Sequence, residues 1–425
     1  MTLGADPAIA PATEPLWVRG TPHRAVKAFW YGTQRSMAPE ETLQRILPYF
    51  PSVGLTRLAD VTGLDRLGIP VVLSVRPNAG YLALDARKGF TLTAAKVSAA
   101  MECLERHHAE TAESTIVRES YDELSRRYSV VPLELLPLAR HSLFSPRLPE
   151  RWALGWDLIQ SAEVAVPAAM VPMERFRYGR GDLVSFQTGS NGLASGNHLL
   201  EAIESALLEL IERDAVTSHL LAMQRYGYIP PKVRLETITS PLVRELLDRF
   251  EAAGVAPMVF DCTVDTGVPV FMAYLFDRLV RDIGMYRGYG AHLDPSIAMV
   301  RALTEAAQGR LVFIAGSRDD MYRRPFHRLK LADSHAAATH FGAAPAVVEA
   351  DEIPSRATAT FEGDAAYLLQ RLRAVGLQSA VVFDLSRPGE PFAVARVVAP
   401  GLEGYMFDYY SPGPRAKAFL ERIQA

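Results

Sequence analysis

Between Glu201 and Asp214 the chain reads EAIESALLELIERD, and its polar and apolar positions fall on opposite sides of a helix. Glu201, Ser205, Glu209 and Glu212 lie within about 80° of one another at 100° per residue, with Ala206, Leu207, Leu210 and Ile211 on the other side. The apolar side predicts burial in a core. The polar side gathers carboxylates at helical spacing, where like charges repel by roughly a few tenths of a kcal/mol per pair, so the pattern calls for water or a cation. The same face recurs along the chain. Residues 205–213 read SALLELIER and residues 98–106 read SAAMECLER, both S-A-x-x-E-x-x-E-R, while RALTEAAQGR at 301–310 keeps the spacing with Arg301, Glu305 and Gln308. These recurrences are too far apart for a solenoid, whose units repeat every ~20–50 residues. They predict helices converging on one shared centre.

Elsewhere the hydrophobic period switches between helix and strand. Pro39 with Glu40 and Glu41 opens a predicted helix with Leu43, Ile46 and Leu47 on its apolar stripe, and the helix beginning at Glu201 is predicted to run towards Met223. Residues 236–253 and 364–376 predict two more, the second ending near Gly376, and the chain closes in a basic helix. Strands are predicted at 71–75, 81–84, 162–173, 183–186, 255–262, 268–276, 379–385 and 391–400. Residues 111–160 and 318–365 show no clear period. Helices and strands alternate without a steady βαβ rhythm, which predicts a large α+β fold.

Composition narrows the function. With 425 residues, 49% hydrophobic and 22% charged, the chain has the make-up of a soluble globular protein. A net charge of −3 excludes a general binder of nucleic acid or membrane surfaces, and no apolar run approaches the ~18 residues of a membrane span. MTLGADPAIAPATEP lacks the basic and apolar regions of a signal peptide and reads as a disordered leader. Cys103 and Cys262 are the only cysteines, which argues against a disulfide framework and suits the cytoplasm; Cys103 reads as a core thiol. His107 and His108, about 100° apart on a helix, read as packing or surface groups, and Trp30-Tyr31 and Tyr409-Tyr410 as core aromatics. No GxxxxGK[ST], GxGxxG, GxSxG or HExxH motif is present, so known phosphate-loop and dinucleotide folds are disfavoured.

The repeated Glu pairs have a chemical use. Mg2+ prefers oxygen ligands and is usually held by one or two carboxylates plus substrate phosphates. Two helices with a Glu pair each are suited to Mg2+ ions bridging a triphosphate, and Arg106 and Arg213, just after each pair, to meeting phosphate oxygens. SNGLASGN (190–197), at the entrance of the second helix, is expected to offer backbone N–H groups to an anion.

Three blocks in order carry a resemblance: S-A-x-x-E-x-x-E-R, then S-N-G-L-A-x-G-N followed by E-x-x-E-R-D, then G-x-G-A-H-L-D followed by R-A-L-T-E-A-x-Q-x-R. Together they resemble the YcaO family over roughly residues 24–410. GTQRSMAPEETLQR and GLTRLADVTGLDRLGIPVV are similar to the subgroup whose genes accompany TfuA-like proteins. The resemblance implies a YcaO-type α+β fold with carboxylate helices around one ATP and Mg2+ site. It implies a leader at 1–20, an N-terminal segment at 21–75 that contributes to the nucleotide site, and a catalytic domain at 76–425. Glu102, Glu105, Glu209 and Glu212 match metal-binding positions. Ser98, Asn197, Glu201, Arg213 and Arg301 match nucleotide-contact positions, Arg35 and Thr42 align with an N-terminal nucleotide-contacting segment, and Gln308 and Arg310 belong to the third motif. No residue is assigned as catalytic.

The implied chemistry is phosphorylation of a peptide-bond oxygen, addition of a nucleophile at the carbonyl carbon and loss of phosphate. Sulfide as nucleophile makes a thioamide, a Cys, Ser or Thr side chain an azoline, and an amine an amidine. The subgroup implies thioamide formation on a peptide or protein, a TfuA-like sulfur-delivery partner and a homodimer. The alternatives are a cyclodehydratase and a non-catalytic nucleotide- or peptide-binding scaffold. Three departures stand out: Ala194 where some members have Ser, Arg87 before Lys88-Gly89 where Gly-Lys-Gly is usual, and a terminus, ERIQA, without the Pro-rich ending common in azoline-forming members.

Overall fold

A computed structural model describes residues 14–80, 82–112, 116–173, 185–280, 284–316, 325–404 and 410–424. The chain begins with a small hairpin, β1 (Leu16–Val18) and β2 (Thr21–His23). The expected leader is therefore folded from Leu16 onward, pinned where Trp156 donates its indole N–H to the carbonyl of Trp17 at 3.1 Å; residues 1–13 lie outside the described residues. Helix α1 (Pro39–Ile46) starts as the sequence predicts, with Pro39 in its first turn and Glu40 and Glu41 at the positive end of its dipole. β3 (Arg57–Asp60), β4 (Val71–Val75) and β5 (Leu84–Lys88) form an antiparallel three-stranded sheet, in order β3-β4-β5. That sheet joins residues on both sides of the expected division at 75.

Helix α2 (Leu92–Thr111) is capped by Thr91, whose side chain accepts the Ala94 N–H. Next come β6 (Ile116–Ser120), the single turn α3 (Tyr121–Leu124), β7 (Ser129–Val130), β8 (Pro149–Asp157) and β9 (Ala162–Pro167). The strand expected over 162–173 stops at Pro167, where a 3-10 turn at Ala168–Met170 takes over. Of the strand expected at 183–186, residues 183 and 184 lie outside the described residues, and Phe186 makes only an isolated bridge with Leu138. β10 (Leu193–Gly196) leads into α4 (Leu199–Tyr226), 28 residues long and ended by Gly227 at φ 62°.

β11 (Lys232–Val233), α5 (Pro241–Ala252), β12 (Val255–Asp261), β13 (Val270–Asp277) and β14 (Met285–Ala291) follow. α5 is shorter than the expected 236–253 because Pro241 at its first turn sets the start. Helix α6 (Pro295–Ala315) is capped by Asp294, which accepts from the N–H groups of Ser296 and Ile297. The rest is α7 (Pro325–Ala343), β15 (Ala346–Val348), α8 (Phe361–Ala374), β16 (Val381–Asp384), β17 (Ala393–Val398) and α9 (Pro414–Gln424).

Two larger sheets flank α4. One has the order β10-β17-β16-β8-β9-β7, with β6 also paired to β8; the other runs β14-β13-β12-β11-β15. The apolar face of α4, with Leu207 and Ile211, shares a core with Ala395 and Val397 of β17 and with Met272 and Tyr289 of β13 and β14. The five-stranded sheet is apolar on both sides. Phe260 and Met272 face α4, while their neighbours Val259 and Phe271 join Phe250 of α5 and Leu303 of α6, as period-two strands between two helical layers require. Among the described residues, no helix is long and apolar enough to cross a membrane.

Candidate nucleotide and metal site

The polar faces of α2, α4 and α6 meet as the repeat predicts. They line a pocket of about 360 Å³ together with Arg35 and Thr42 from the N-terminal segment, Arg87 and Lys88 from the end of β5, and residues 193–197. Of the expected site residues, Arg35, Thr42, Ser98, Glu102, Glu105, Asn197, Glu201, Glu209, Glu212 and Arg301 all line it. Close backbone packing brings the walls together. A Cβ on Gly290 of β14 would lie 2.1 Å from the carbonyl oxygen of Ala298, and one on Gly288 2.2 Å from the nitrogen of Ala306, so only glycine lets β14 sit this near α6. Gly192 has φ 76° and a position where a Cβ would meet the Val397 carbonyl at 2.2 Å.

One end of the pocket is organised by Glu201. Ser36 donates to its carboxylate from backbone N–H and hydroxyl at 3.2 and 2.8 Å, Arg35 Nε lies 3.4 Å away, and the Asn197 amide donates at 3.4 Å. Thr42 Oγ1 reaches Asn197 Oδ1 at 2.9 Å. Arg301, held by the Ala291 carbonyl at 2.9 Å, has its pKa lowered to about 10 by burial and by the nearby Arg35. Two guanidinium groups thus stand near each other in a pocket that also holds a cluster of carboxylates.

Within that cluster the five carboxylates are not equivalent. Burial works against the charge on Glu102, but Arg87 and Arg106 outweigh it and hold the group at about 2. Burial and then Glu102 push Glu105 well above the usual range, with Ser195 donating to it at 3.1 Å. Burial, partly offset by Arg213 and reinforced by Glu212 and Glu102, lifts Glu209 to about 7, and burial with Glu305 raises Glu212. Glu305 is lowered against burial by Lys88, whose ammonium stands 3.0 Å away. Raised carboxylates side by side are groups short of positive charge, and an all-oxygen donor set fits Mg2+. Among the described residues no three acidic, His or Cys side chains are close enough to hold one ion between them, so an ion here would need phosphate and water to complete its shell.

Several expectations change. Arg106 is not free for phosphate: its guanidinium is committed to Glu102 at 2.9 Å and to Asp85 at 3.1 Å. Arg213 stands beside the pocket's carboxylates, 3.9 Å from Glu209 and 3.8 Å from Glu212. Gln308 stands outside, donating to the Ala86 carbonyl at 2.8 Å and so tying α6 to β5. Arg310 is fully buried against Asp65 and Asp277, each at 2.8 Å. SNGLASGN is not an open anion loop, because residues 193–196 pair with β17 and His198 Nδ1 takes the Leu200 N–H at the start of α4. Trp30 and Tyr31 are 53% and 44% exposed, so they are not core aromatics; Tyr31 packs edge-on against Phe90 at the pocket wall. Tyr410 is half-buried against the α9 core, and Tyr409 lies outside the described residues.

His108 is a packing residue as expected, held by Leu104 and Glu390, and both cysteines are buried, with the Cys103 thiol pushed up to about 12 by burial. Sequence reasoning did not place Lys88, Ser195, Ser36 or Glu305 in the site. For Glu305 the signal was present in the third repeat. For the others only the tertiary contacts reveal it.

Comparisons with known proteins show the family and the fold. A family model described as YcaO cyclodehydratase, ATP- and Mg2+-binding, matches residues 87–403. An uncharacterised protein of Methanothermobacter thermautotrophicus is 36% identical over 403 residues, spanning 91% of this chain and 99% of the relative. A protein of Rhizobium leguminosarum bv. trifolii, described by its position in the tfuA 3' region, is 32% identical over 378 residues, or 87% of this chain and 88% of that protein. The structure of YcaO from Methanopyrus kandleri bound with AMPPCP and Mg2+ superposes with a TM-score of 0.71 at 27% identity, over 92% of this chain and all of that one. A heterocyclase in complex with substrate and cofactor shares the fold, with a TM-score of 0.77 at 21% identity, over 96% of this chain and 57% of that one.

Proposed function

The chain belongs to the YcaO family of ATP- and Mg2+-binding enzymes, and we propose that it uses ATP to convert a peptide-bond carbonyl into a thioamide. The observation that carries the reading is the pocket itself: carboxylates from three helices line a space of about 360 Å³ together with Arg35 and Arg301. Such a space suits a polyphosphate chain, with metal bound by the carboxylates and phosphate oxygens by the guanidinium groups. Mg2+ ions, each taking one or two of Glu105, Glu209 and Glu212 and otherwise phosphate and water, would supply neutralising charge for the phosphates. Arg35 and Arg301 would bind phosphate oxygens through planar, fixed-charge donors. Thr42, Asn197 and Glu201 tie the N-terminal segment to α4 and keep Arg35 in register.

An amide carbonyl is a poor electrophile, and its oxygen leaves only once phosphorylated. In the proposed reaction the amide oxygen takes the terminal phosphoryl group of ATP, hydrosulfide adds to the carbon, and the C–O bond breaks. Amide, ATP and HS− thus give thioamide, ADP and phosphate, with the oxygen leaving on phosphate. The choice of sulfur is supported by the relative described from the tfuA 3' region, and with it goes a TfuA-like sulfur-delivery partner; a homodimer is proposed by analogy with the family. Incubation with ATP, Mg2+, sulfide and candidate peptides, read by mass spectrometry, tests the reaction. A mass gain of sulfur minus oxygen is expected, and Glu209→Gln or Glu105→Gln should abolish peptide-dependent ATP turnover while leaving the fold intact. Full turnover in both variants would remove the metal assignment.

Azoline formation is the second reading, favoured by the cyclodehydratase in the family's description. It gives loss of water instead of gain of sulfur. ATP binding without phosphate release under any of these conditions would point to a scaffold.

A further inference from the structure

One carboxylate of the site already has its cations. Arg87, in β5 and paired across the sheet with Val72, places its guanidinium on Oε2 of Glu102, while Arg106 Nε holds Oε1 at 2.9 Å. Arg106 is fixed in turn by Asp85 at 3.1 Å, two residues before Arg87 on the same side of β5. Asp85, Arg106, Glu102 and Arg87 therefore form a run of alternating charge between β5 and α2, neutral as a set, in which both oxygens of Glu102 are engaged. Yet Arg87 and Glu102 also line the pocket, beside Glu105, Glu209 and Glu212.

We propose that Arg87 is a resident cation of this site: its guanidinium occupies the place on Glu102 that a divalent ion would otherwise take, so the chain holds its nucleotide with fewer divalent ions than its carboxylates could accept. The proposal rests on the reading of the pocket as a metal–nucleotide site. Its physical basis is exclusion. An ion approaching Glu102 must displace a guanidinium from a partly enclosed ion pair, or sit next to it and bear the repulsion between like charges at low dielectric. The Arg87 guanidinium, whose pKa Glu102 raises against burial, stays charged and cannot give way by losing its proton. Arg87 is a positioning residue here, deciding how many ions accompany the phosphates and leaving them to Glu105, Glu209 and Glu212.

Mn2+ serves as the probe, counted by electron paramagnetic resonance on the full-length protein with a non-hydrolysable ATP analogue. Wild type is compared with Arg87→Met, which keeps the length and removes the charge, with Arg87→Lys, and with Arg87→Met combined with Glu102→Gln. Arg87→Met should take up one more Mn2+ per chain, at an affinity about tenfold or more above any matching uptake by wild type. Arg87→Lys should keep the wild-type count, and the double variant should return to it. An unchanged count and affinity in Arg87→Met, with an unchanged melting temperature, would overturn the proposal, and so would a loss of Mn2+ from that variant. If wild type shows no analogue-dependent uptake of Mn2+, the metal–nucleotide reading fails with it, an outcome distinct from equal uptake by both.

Discussion

A single buried carboxyl shows how the environment sets chemistry that residue type does not. Glu204, on α4 just behind the pocket, is 2% exposed, and its Oε1 has no hydrogen-bond partner. Burial raises it, Lys27 at 3.8 Å and Arg301 oppose that, Asp364 adds to it, and the net value is about 8. The folded protein therefore keeps this proton up to about pH 8, whereas the unfolded chain releases it near 4.5. Between these values the folded state binds more protons, so rising pH favours unfolding. The ligand-free thermal midpoint of wild type should fall from pH 5 to pH 8 more steeply than that of Glu204→Gln. Parallel pH profiles for the two proteins would refute this assignment. At the same scale, the metal-type Glu residues were legible from spacing, because helical geometry alone puts them on one face. Their unequal charge states were not, since Arg87, Lys88 and Ser195 reach them from other elements.

Among the elements, α6 sits directly against β14 because two glycines of that strand leave room for its backbone. Gly290→Ala would force a methyl into the Ala298 carbonyl, costing about 1–3 kcal/mol or more and shifting the turn that carries Arg301. The expected outcome is a lower melting temperature together with weaker binding of the ATP analogue. An unaltered affinity would show that Arg301 is positioned independently of β14. Helix starts were readable where a cap or proline is local, as at Pro39, and the strands at 71–75 and 255–262 appear within a residue of expectation. The elements in 111–160 and 318–365 were not readable. β6 and β8 pair with each other and β15 with β11, so what stabilises them is a distant partner rather than their own period.

At the scale of the whole molecule, a buried ion cluster fastens the N-terminal segment to the rest. The Lys27 side chain is fully buried and pairs with Asp364 of α8, with Glu204 of α4 close by. The backbone of residues 25–27 adds hydrogen bonds to Ala359 and Phe361. Lys27→Met should destabilise the protein by about 3–5 kcal/mol, because it leaves the buried Asp364 carboxylate without its cation. It should also weaken nucleotide binding by loosening the segment that carries Arg35 and Thr42. If calorimetry gave wild-type stability and affinity, the fastening role would be wrong. The sequence by itself determined the α+β class and the three convergent helix faces, because periodicity is a local property, and the resemblance to a family singled out ten residues that line the pocket. Tertiary structure alone decided which arginines face the pocket, which carboxylates keep protons, and that Glu102 carries its own counter-charge. Those depend on distances of a few ångströms between groups far apart in the chain, and no spacing along the chain encodes them.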